Sequence, residues 1–342
     1  MSYVEKYVSV AGSGAHDGSS EANAWTWDEM VANRVVKDRA NIIAGSYSVS
    51  GGAMTTVGSM TNRFIIRGYN TVIGDLEGQG RNSDGSLNTT NFPVVTVSAS
   101  FSPGSFDIIQ NIFFTGAFAG TIFNVAGSDE ISMIESKVEN TLSSSSAEAG
   151  EGDNRCLFIN SDFVCSGATH GLVLQSDGDS TFTGCRIEGK SSSSAFLDTR
   201  SLIMDGCSVV NIGTAGTSKG LFINAIGNYY FVKNNTFYNF GTAIQTINST
   251  QGNGVYLFLN NHYTDCAKGL DSLYSATADV FAIEMNSRTR DNTTPRTGFG
   301  DSLNIAEVTT DTGGPETDYV DAPNGDITLI AAAPAVDSGL GM

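Results

Sequence analysis

Three charged residues, Asp162, Arg186 and Glu188, are spaced so that a repeating strand architecture would bring them onto neighbouring coils. Glycoside hydrolysis uses two carboxyl groups about 5 to 9 Å apart on one face. Parallel strands lie about 4.8 Å apart, so adjacent coils of a solenoid could supply that separation. The three residues are therefore candidate catalytic residues of a sugar groove. A salt-bridged surface cluster is the favoured interpretation of the same spacing.

Three further residues have side chains suited to chemistry. His170 precedes a glycine at a predicted corner, where a turn residue is also expected, and it is a candidate catalytic residue. Asp177 and Asp179 flank Gly178 and could contact Ca²⁺, although two acids are too few for a site by themselves. The sequence thus predicts no bound cofactor and no metal site, with Ca²⁺ as the open possibility.

A repeated segment provides the elements that would position these residues. Seven copies alternate apolar residues around a small, polar or amide residue. The central residues are Asn111, Ser136, Ser161, Cys185, Cys207, Asn235 and Asn261, which lie 22 to 28 positions apart. This spacing indicates stacked coils. The sequence therefore predicts an all-β fold, a right-handed parallel β-helix solenoid with about 25 residues per coil. Its central residues would form a buried ladder, which explains Cys185 and Cys207 without catalytic chemistry.

The repeat also divides the chain. Residues 1–40 form an N-terminal segment with a capping helix over 26–36, begun by a capping box of Thr26 and Glu29. Residues 41–285 form the parallel β-helix, and residues 286–342 form an irregular C-terminal arm or cap. Two polar stretches, 74–92 and 140–154, are predicted to interrupt the coils.

Composition narrows the partners. The chain has 18 Lys and Arg against 36 Asp and Glu, a net charge of −18, which disfavours nucleic acid as a partner. No signal peptide or transmembrane segment is expected, so no membrane partner is predicted. Five cysteines without a Cys-x-x-Cys pair indicate buried free thiols rather than a disulfide framework.

The two ends of the chain resemble pectate-lyase-like β-helix proteins. The stretch from Tyr7 to Gly18, a Trp-rich helix and a strand ending at Tyr47 resemble their start, and the stretch from Ala333 to Gly339 resembles their closing segment. The resemblance implies the fold, and it would imply a polysaccharide lyase or hydrolase if the catalytic motifs were present. The Trp-x-Asp-His, Arg-x-Pro-x-x-Arg, Asp-Asp and Arg-x-Lys motifs are absent, and Thr169-His170-Gly171 only approaches the Gly-His-Gly motif.

Three functions remain open. The favoured hypothesis is a non-enzymatic structural virion protein of a bacteriophage, a capsid decoration or tail-associated protein. It would bind through its ends or C-terminal arm, as a homotrimer or on capsid proteins, and would be located in the virion or otherwise in the cytoplasm. The alternative is a polysaccharide lyase or glycoside hydrolase acting on surface or acidic polysaccharide. The third is a sugar-binding adhesin with exposed Tyr229, Tyr230 and Tyr238.

Overall fold

The fold is a parallel β-solenoid of about nine turns with about 25 residues in each, as the sequence predicts. The computed structural model describes residues 2–125, 130–152, 155–223, 229–246, 254–271, 280–285, 287–290, 294–297, 319–321 and 326–329. Among these, residues 177, 254, 280–285, 288–290, 294–297, 319–321 and 326–329 are described by their backbone alone.

Each coil contributes up to three strands, which stack into three sets. Set 1 precedes a corner and contains Val4–Val8, Asp38–Ile43, Phe64–Tyr69, Asp107–Gln110, Ser132–Ile134, Cys156–Ile159, Tyr229–Lys233, Gly254–Leu259 and Val280–Met285. Set 2 follows the corner and contains Ser46–Val49, Val94–Val97, Phe113–Gly116, Lys137–Asn140, Asp162–Cys165, Arg186–Gly189, Ser208–Asn211, Thr236–Tyr238, His262–Thr264 and Arg288–Arg290. Set 3 contains Gly52–Ala53, Phe101–Ser102, Gly120–Asn124, Ala147–Gly152, Lys219–Ile223, Thr242–Thr246, Lys268–Asp271 and Thr294–Thr297.

Two long strands join sets 1 and 3. Leu174–Thr183 and Ala195–Asp205 run through both sets, so that the two sets form one parallel sheet beside the separate sheet of set 2. The predicted interruption at 140–154 is wrong in its second half, because Ala147–Gly152 is a regular set 3 strand. Its small residues Ala and Gly carry little hydrophobic signal.

The core lies between the sets because strand residues alternate between inside and outside. In Cys156–Ile159 the burial alternates residue by residue, with Phe158 fully buried. Like residues stack from coil to coil, as the rings of Phe158 and Phe182 do with centres 4.8 Å apart. Each such buried side chain stabilises the fold by roughly 1.5 to 3 kcal/mol.

The corner between set 1 and set 2 takes two residues per coil. The first has a left-handed backbone: Asn111, Glu135, Asn160, Gly184, Gly206, Asn234 and Asn260. The second is buried: Ile112, Ser136, Ser161, Cys185, Cys207, Asn235 and Asn261. The prediction that Asn111 occupies the buried column is therefore wrong. Asn111 takes the left-handed position, which asparagine tolerates better than isoleucine does, and Ile112 takes the buried one.

Hydrogen bonds run up the buried column and form the predicted ladder. The Asn235 backbone N–H donates to Asn261 Oδ1 at 3.1 Å, and the Cys207 N–H donates to Asn235 Oδ1 at 2.8 Å. The Cys185 N–H donates to Cys207 Sγ at 3.3 Å. Each side chain thus accepts a hydrogen bond from a buried backbone N–H that lies in the turn and has no partner in a neighbouring strand. All five cysteines are buried thiols outside any disulfide, as predicted.

The helix predicted near the N-terminus spans Trp27–Asn33, preceded by a 3₁₀ turn at Glu21–Asn23. The Thr26 and Glu29 capping box is present in both directions. Trp27 and Met30 are buried in the same hydrophobic core as the coils. Arg34 follows the helix, and its Nη1 lies 2.8 Å from Asp107 Oδ2, which ties the helix to a set 1 strand.

The segment between Phe64–Tyr69 and Val94–Val97 leaves the coil, as predicted for 74–92. We call residues 70–92 the crossing loop. It carries its own small core of Leu76, Leu87 and Phe92, packed against Phe113. It lies over the corners of several successive coils, and its contacts are described with the site below.

Parallel pairing continues into the predicted C-terminal arm. Arg288–Arg290 pairs with His262–Thr264, and Thr294–Thr297 pairs with Lys268–Asp271. Tyr319–Asp321 and Asp326–Leu329 pair with each other in antiparallel fashion. Apart from Ser287, which is buried, the rest of residues 286–342 lies outside the described residues, and the irregular arm stays a prediction.

Candidate functional site

Asp162, Arg186 and Glu188 do lie together on the outer side of set 2. Asp162 is paired with Arg186 across neighbouring strands, and Val164 is paired with Glu188. The sequence spacing therefore places the three residues on adjacent coils, as expected. What the sequence does not reveal is that the crossing loop packs over them.

Asp162 is fully buried beneath the crossing loop. Its carboxylate accepts hydrogen bonds from Arg81 Nη1 at 2.7 Å and from the Leu87 backbone N–H at 2.6 Å. Burial raises the pKa of Asp162, and the positive charge of Arg81 opposes that effect. With its side chain 0% exposed, this carboxylate fastens the loop and presents no surface to a substrate.

Arg186 is held by the loop and by its own strand. Its Nε donates to Glu188 Oε2 at 2.8 Å, and its Nη1 donates to the backbone carbonyl of Asp84 at 2.8 Å. Hydrogen bonds from Ser86 and the charge of Arg186 keep the pKa of Asp84 low even though burial acts to raise it. Arg186 and Glu188 thus complete a network that locks the crossing loop onto the coils.

His170 is buried at the turn between sets 2 and 3. Its Nδ1 lies 3.0 Å from the carbonyl oxygen of Gly171, and its ring meets Phe196 edge-on with centres 4.9 Å apart. Burial lowers the pKa of His170. A Cβ at Gly189 would lie 2.4 Å from Nε2, so the neighbouring strand must carry glycine here. The ring packs in the coil interior, 2% exposed.

A groove on the outer face of set 1 brings a different group of residues together. Its volume is about 410 Å³, and it is lined by Arg155, Cys156, Leu157, Asp179, Ser180, Thr181, Ile203 and Tyr229. Tyr229 and Ile203 are exposed large side chains, and Arg155 is half exposed. We call these residues the set 1 groove.

Three polar side chains of the set 1 groove, Tyr229, Asp179 and Arg155, have partners in or beside the groove. The Tyr229 hydroxyl donates to the Asp179 carboxylate, and the pKa of Tyr229 is raised by desolvation and by this bond. Arg155 Nη1 lies 2.7 Å from Glu130 Oε1, and Arg63 Nη2 lies 3.3 Å from Glu130 Oε2. The groove therefore presents a protonated phenol, a carboxylate and a guanidinium at fixed positions.

The groove opens onto a line of outward-facing side chains that we call the outer stripe. Strand pairing places Leu157, Thr181, Ile203, Phe231 and Leu257 in one register across successive coils. These side chains are half-buried or exposed. The stripe runs along the solenoid axis with one side chain about every 4.8 Å.

Sequence reasoning found only part of this groove. Asp179 had been assigned to a Ca²⁺ contact, and Tyr229 to an exposed aromatic face with Tyr230 and Tyr238. Tyr229 is 48% exposed, whereas Tyr230 and Tyr238 are buried, so the predicted exposure holds for one of the three tyrosines, and the adhesin role stays a prediction. Arg155 and Glu130 carried no sequence signal, because both fall on turns between repeated strands.

No group of three His, Cys, Asp or Glu side chains in the described part of the chain is placed to hold a metal ion. The side chain of Asp177 lies outside the described residues. The Ca²⁺ contact at Asp177 and Asp179 therefore stays a prediction. In the same described part, no helix is long and apolar enough to cross a membrane.

Three solved structures that are similar to this chain are an alginate lyase, a pectate lyase and a pectin methylesterase. An alginate lyase of family PL6 superposes with a TM-score of 0.53 at 11% identity, covering 88% of this chain and 40% of its own. A pectate lyase has a TM-score of 0.48 at 12% identity, covering 98% of this chain and 91% of its own. The pectin methylesterase from Aspergillus niger has a TM-score of 0.41 at 15% identity, covering 99% and 94%.

The likeness to the alginate lyase, which has a TM-score above 0.5, shows a parallel β-helix fold, the fold that the resemblance of the terminal segments implies. No protein-family model matches the sequence, and no curated protein matches it.

Proposed function

We propose that the protein binds a polysaccharide chain along the outer face of set 1, with the set 1 groove as its main contact. The observation that carries the proposal is the exposed Tyr229 ring beside Asp179 and Arg155 in one groove. A concave site with an apolar floor and a few convergent polar groups is the usual form of a small-ligand site, and about 410 Å³ falls within the usual range.

The chemistry of the groove suits a sugar ring. The Tyr229 face can pack against the C–H face of a pyranose, while Leu157 and Ile203 supply an apolar floor. Asp179 can accept hydrogen bonds from sugar hydroxyls, and the half-exposed Arg155 guanidinium can donate them. Arg155 is 52% exposed, so its remaining N–H groups reach solvent. The outer stripe extends the contact beyond one ring.

Binding to soluble polysaccharides tests the proposal. Dextran, xylan, mannan, polygalacturonate and alginate are immobilised in native gels, and retardation of the protein is confirmed by calorimetry. We expect at least one polymer to bind and Tyr229→Ala to weaken it about tenfold, since aromatic contacts contribute about 1.5 kcal/mol.

A matched control is Phe222→Ala. Phe222 is a half-buried aromatic on set 3, with Lys219 Nζ 5.1 Å from the ring centre. The Phe222→Ala variant should bind the polymer as tightly as the wild type does. Absence of binding to every polymer, or equal binding by Tyr229→Ala and the wild type, would refute the proposal.

Cleavage of the bound chain is a second candidate function, favoured by the Tyr229–Asp179 hydrogen bond. That bond places a phenol, which is protonated at neutral pH, beside a carboxylate. New chain ends formed by the wild type and abolished in Asp179→Asn would support cleavage. Unchanged polymer length alongside binding would restrict the function to recognition.

The virion role that the sequence favours stays a prediction, as do the homotrimer and the contact with capsid proteins. Sugar recognition is compatible with such a setting, because an elongated β-helix can carry a sugar site on its side and attach by its ends. Mass spectrometry of purified particles would detect the chain in repeated copies. The mass in solution would test the trimer, and a monomer at high concentration would count against it.

A further inference from the structure

The charge of the set 1 groove differs from the charge of the whole protein. The chain carries 18 positive and 36 negative side chains, a net charge of −18. The charged residues that line the groove are Arg155 and Asp179, one positive and one negative, which sum to zero, and Arg155 is paired with Glu130 beside the groove. The groove is therefore a neutral patch on a strongly acidic protein.

We infer that the set 1 groove selects an uncharged sugar chain over a polyanionic one. This inference rests on the proposed function and names the ligand class for the same groove. It departs from the acidic polysaccharide that the sequence gives as the alternative substrate.

The arginines of the groove are already neutralised within the protein. Glu130 accepts from Arg155 through Oε1 and from Arg63 through Oε2, and its backbone carbonyl accepts from Arg63 Nη1 at 2.8 Å. A uronate carboxylate would have to compete with Glu130 for these guanidinium groups. An uncharged hydroxyl needs only the N–H groups that face solvent, so it binds without breaking the pairs.

Asp179 and the surrounding field both disfavour a polyanion. The Asp179 carboxylate lines the groove and would face an incoming carboxylate, and like charges in close contact raise each other's energy. Beyond the groove, the net charge of −18 repels a polyanion over distances of about 10 Å at moderate salt.

The remaining lining suits an uncharged ligand. Leu157 and Ile203 form the floor, and the Tyr229 ring stands at the side. These surfaces contact the apolar faces of sugar rings whatever the charge of the chain, so they supply affinity without requiring an acid group.

Salt dependence separates the two ligand classes. Binding of dextran, xylan and mannan is compared with binding of polygalacturonate and alginate at about 20 mM and about 300 mM NaCl, between which screening changes strongly. We expect one uncharged polymer to bind at least about tenfold more tightly than either polyanion at low salt, with little effect of salt. Any residual polyanion binding should strengthen as salt screens the repulsion.

A charge variant tests the local balance. Glu130→Gln keeps the side-chain shape and leaves Arg155 and Arg63 unneutralised, so we expect about threefold tighter polyanion binding. Glu77→Gln is the matched control, because Glu77 also pairs with an arginine, Arg67, but lies on the crossing loop. The control changes the net charge equally and should leave polyanion binding unaltered.

The outcomes distinguish this inference from the proposed function. Polyanions binding as tightly as every uncharged polymer would overturn the inference while leaving polysaccharide binding intact. Equal gains in Glu130→Gln and Glu77→Gln would assign selectivity to the net charge and overturn the role of the groove. Failure of all five polymers to bind would overturn the proposed function itself.

Discussion

Replacing Asp162 by Ala should release the crossing loop from the coils. In the folded protein the Asp162 carboxylate is fully buried and accepts from Arg81 Nη1 and from the Leu87 N–H. Removing one partner of a buried ion pair lowers the free energy of unfolding by about 3 to 5 kcal/mol, because the other charge is left uncompensated. Arg81 keeps 29% of its side chain exposed and can regain water, so we expect the lower end, about 3 kcal/mol.

The loss should be local, because each coil of a solenoid contacts mainly its neighbours. A loss of about 3 kcal/mol in the local stability of the crossing loop should accelerate hydrogen exchange of residues 70–92 about a hundredfold. Exchange should change far less in the coils that follow the set 2 strand Ser208–Asn211. Trypsin should also cut after Arg81 much sooner than in the wild type, since the Arg81 side chain is no longer held.

Glu139→Ala is the matched control. Glu139 lies on the adjacent set 2 strand, and its carboxylate is 2.9 Å from Lys137 Nζ with both side chains partly exposed. Such a surface pair contributes about 0 to 1 kcal/mol, so the crossing loop should remain protected. If Asp162→Ala left both the exchange and the trypsin cleavage of 70–92 at wild-type rates, the locking role of Asp162 would be wrong.

Two further predictions concern His170 and the ladder. Burial depresses the pKa of His170 below its usual 6.5, so its neutral form favours folding fully above that pH, and this contribution is lost as the pH falls below 6.5. Between pH 7.5 and 5, the free energy of unfolding in urea should fall more in the wild type than in His170→Leu. Equal losses would contradict the lowered pKa of His170. In the ladder, Asn235→Ala leaves the buried Cys207 N–H without its acceptor and should lower the free energy of unfolding by about 2 to 4 kcal/mol. Asn234→Gly should lower it by under about 1 kcal/mol, because glycine suits that left-handed position. Urea unfolding of both variants checks this, and similar losses would refute the ladder role.

The coil period could be predicted closely because it depends on local pattern. Alternating burial and small corner residues recur about every 25 positions, and the stacked strands follow that recurrence. The one-residue error at Asn111 arose because asparagine suits both corner positions. A pattern of residue types alone does not distinguish a left-handed backbone from a buried amide.

The candidate site could be predicted only in part. The sequence correctly placed Asp162 beside Arg186, since strand register follows from the repeat. It could not show that residues 70–92 fold over this pair, because the contact between Arg81 and Asp162 joins residues 81 positions apart. The groove was missed because Glu130 and Arg155, although they occupy equivalent left-handed positions on successive coils, lie outside the alternating segment that marks the repeat in the sequence.

The sequence by itself determined the solenoid, its coil length, the buried ladder with Cys185 and Cys207, and the acidic charge of the molecule. These properties follow from local periodicity and composition. Only the tertiary structure decided which charged residues are open to a ligand. The crossing loop buries Asp162, whereas strand stacking exposes Tyr229 beside Asp179 and Arg155. Exposure depends on which distant segment packs over a strand, and no local pattern carries that information.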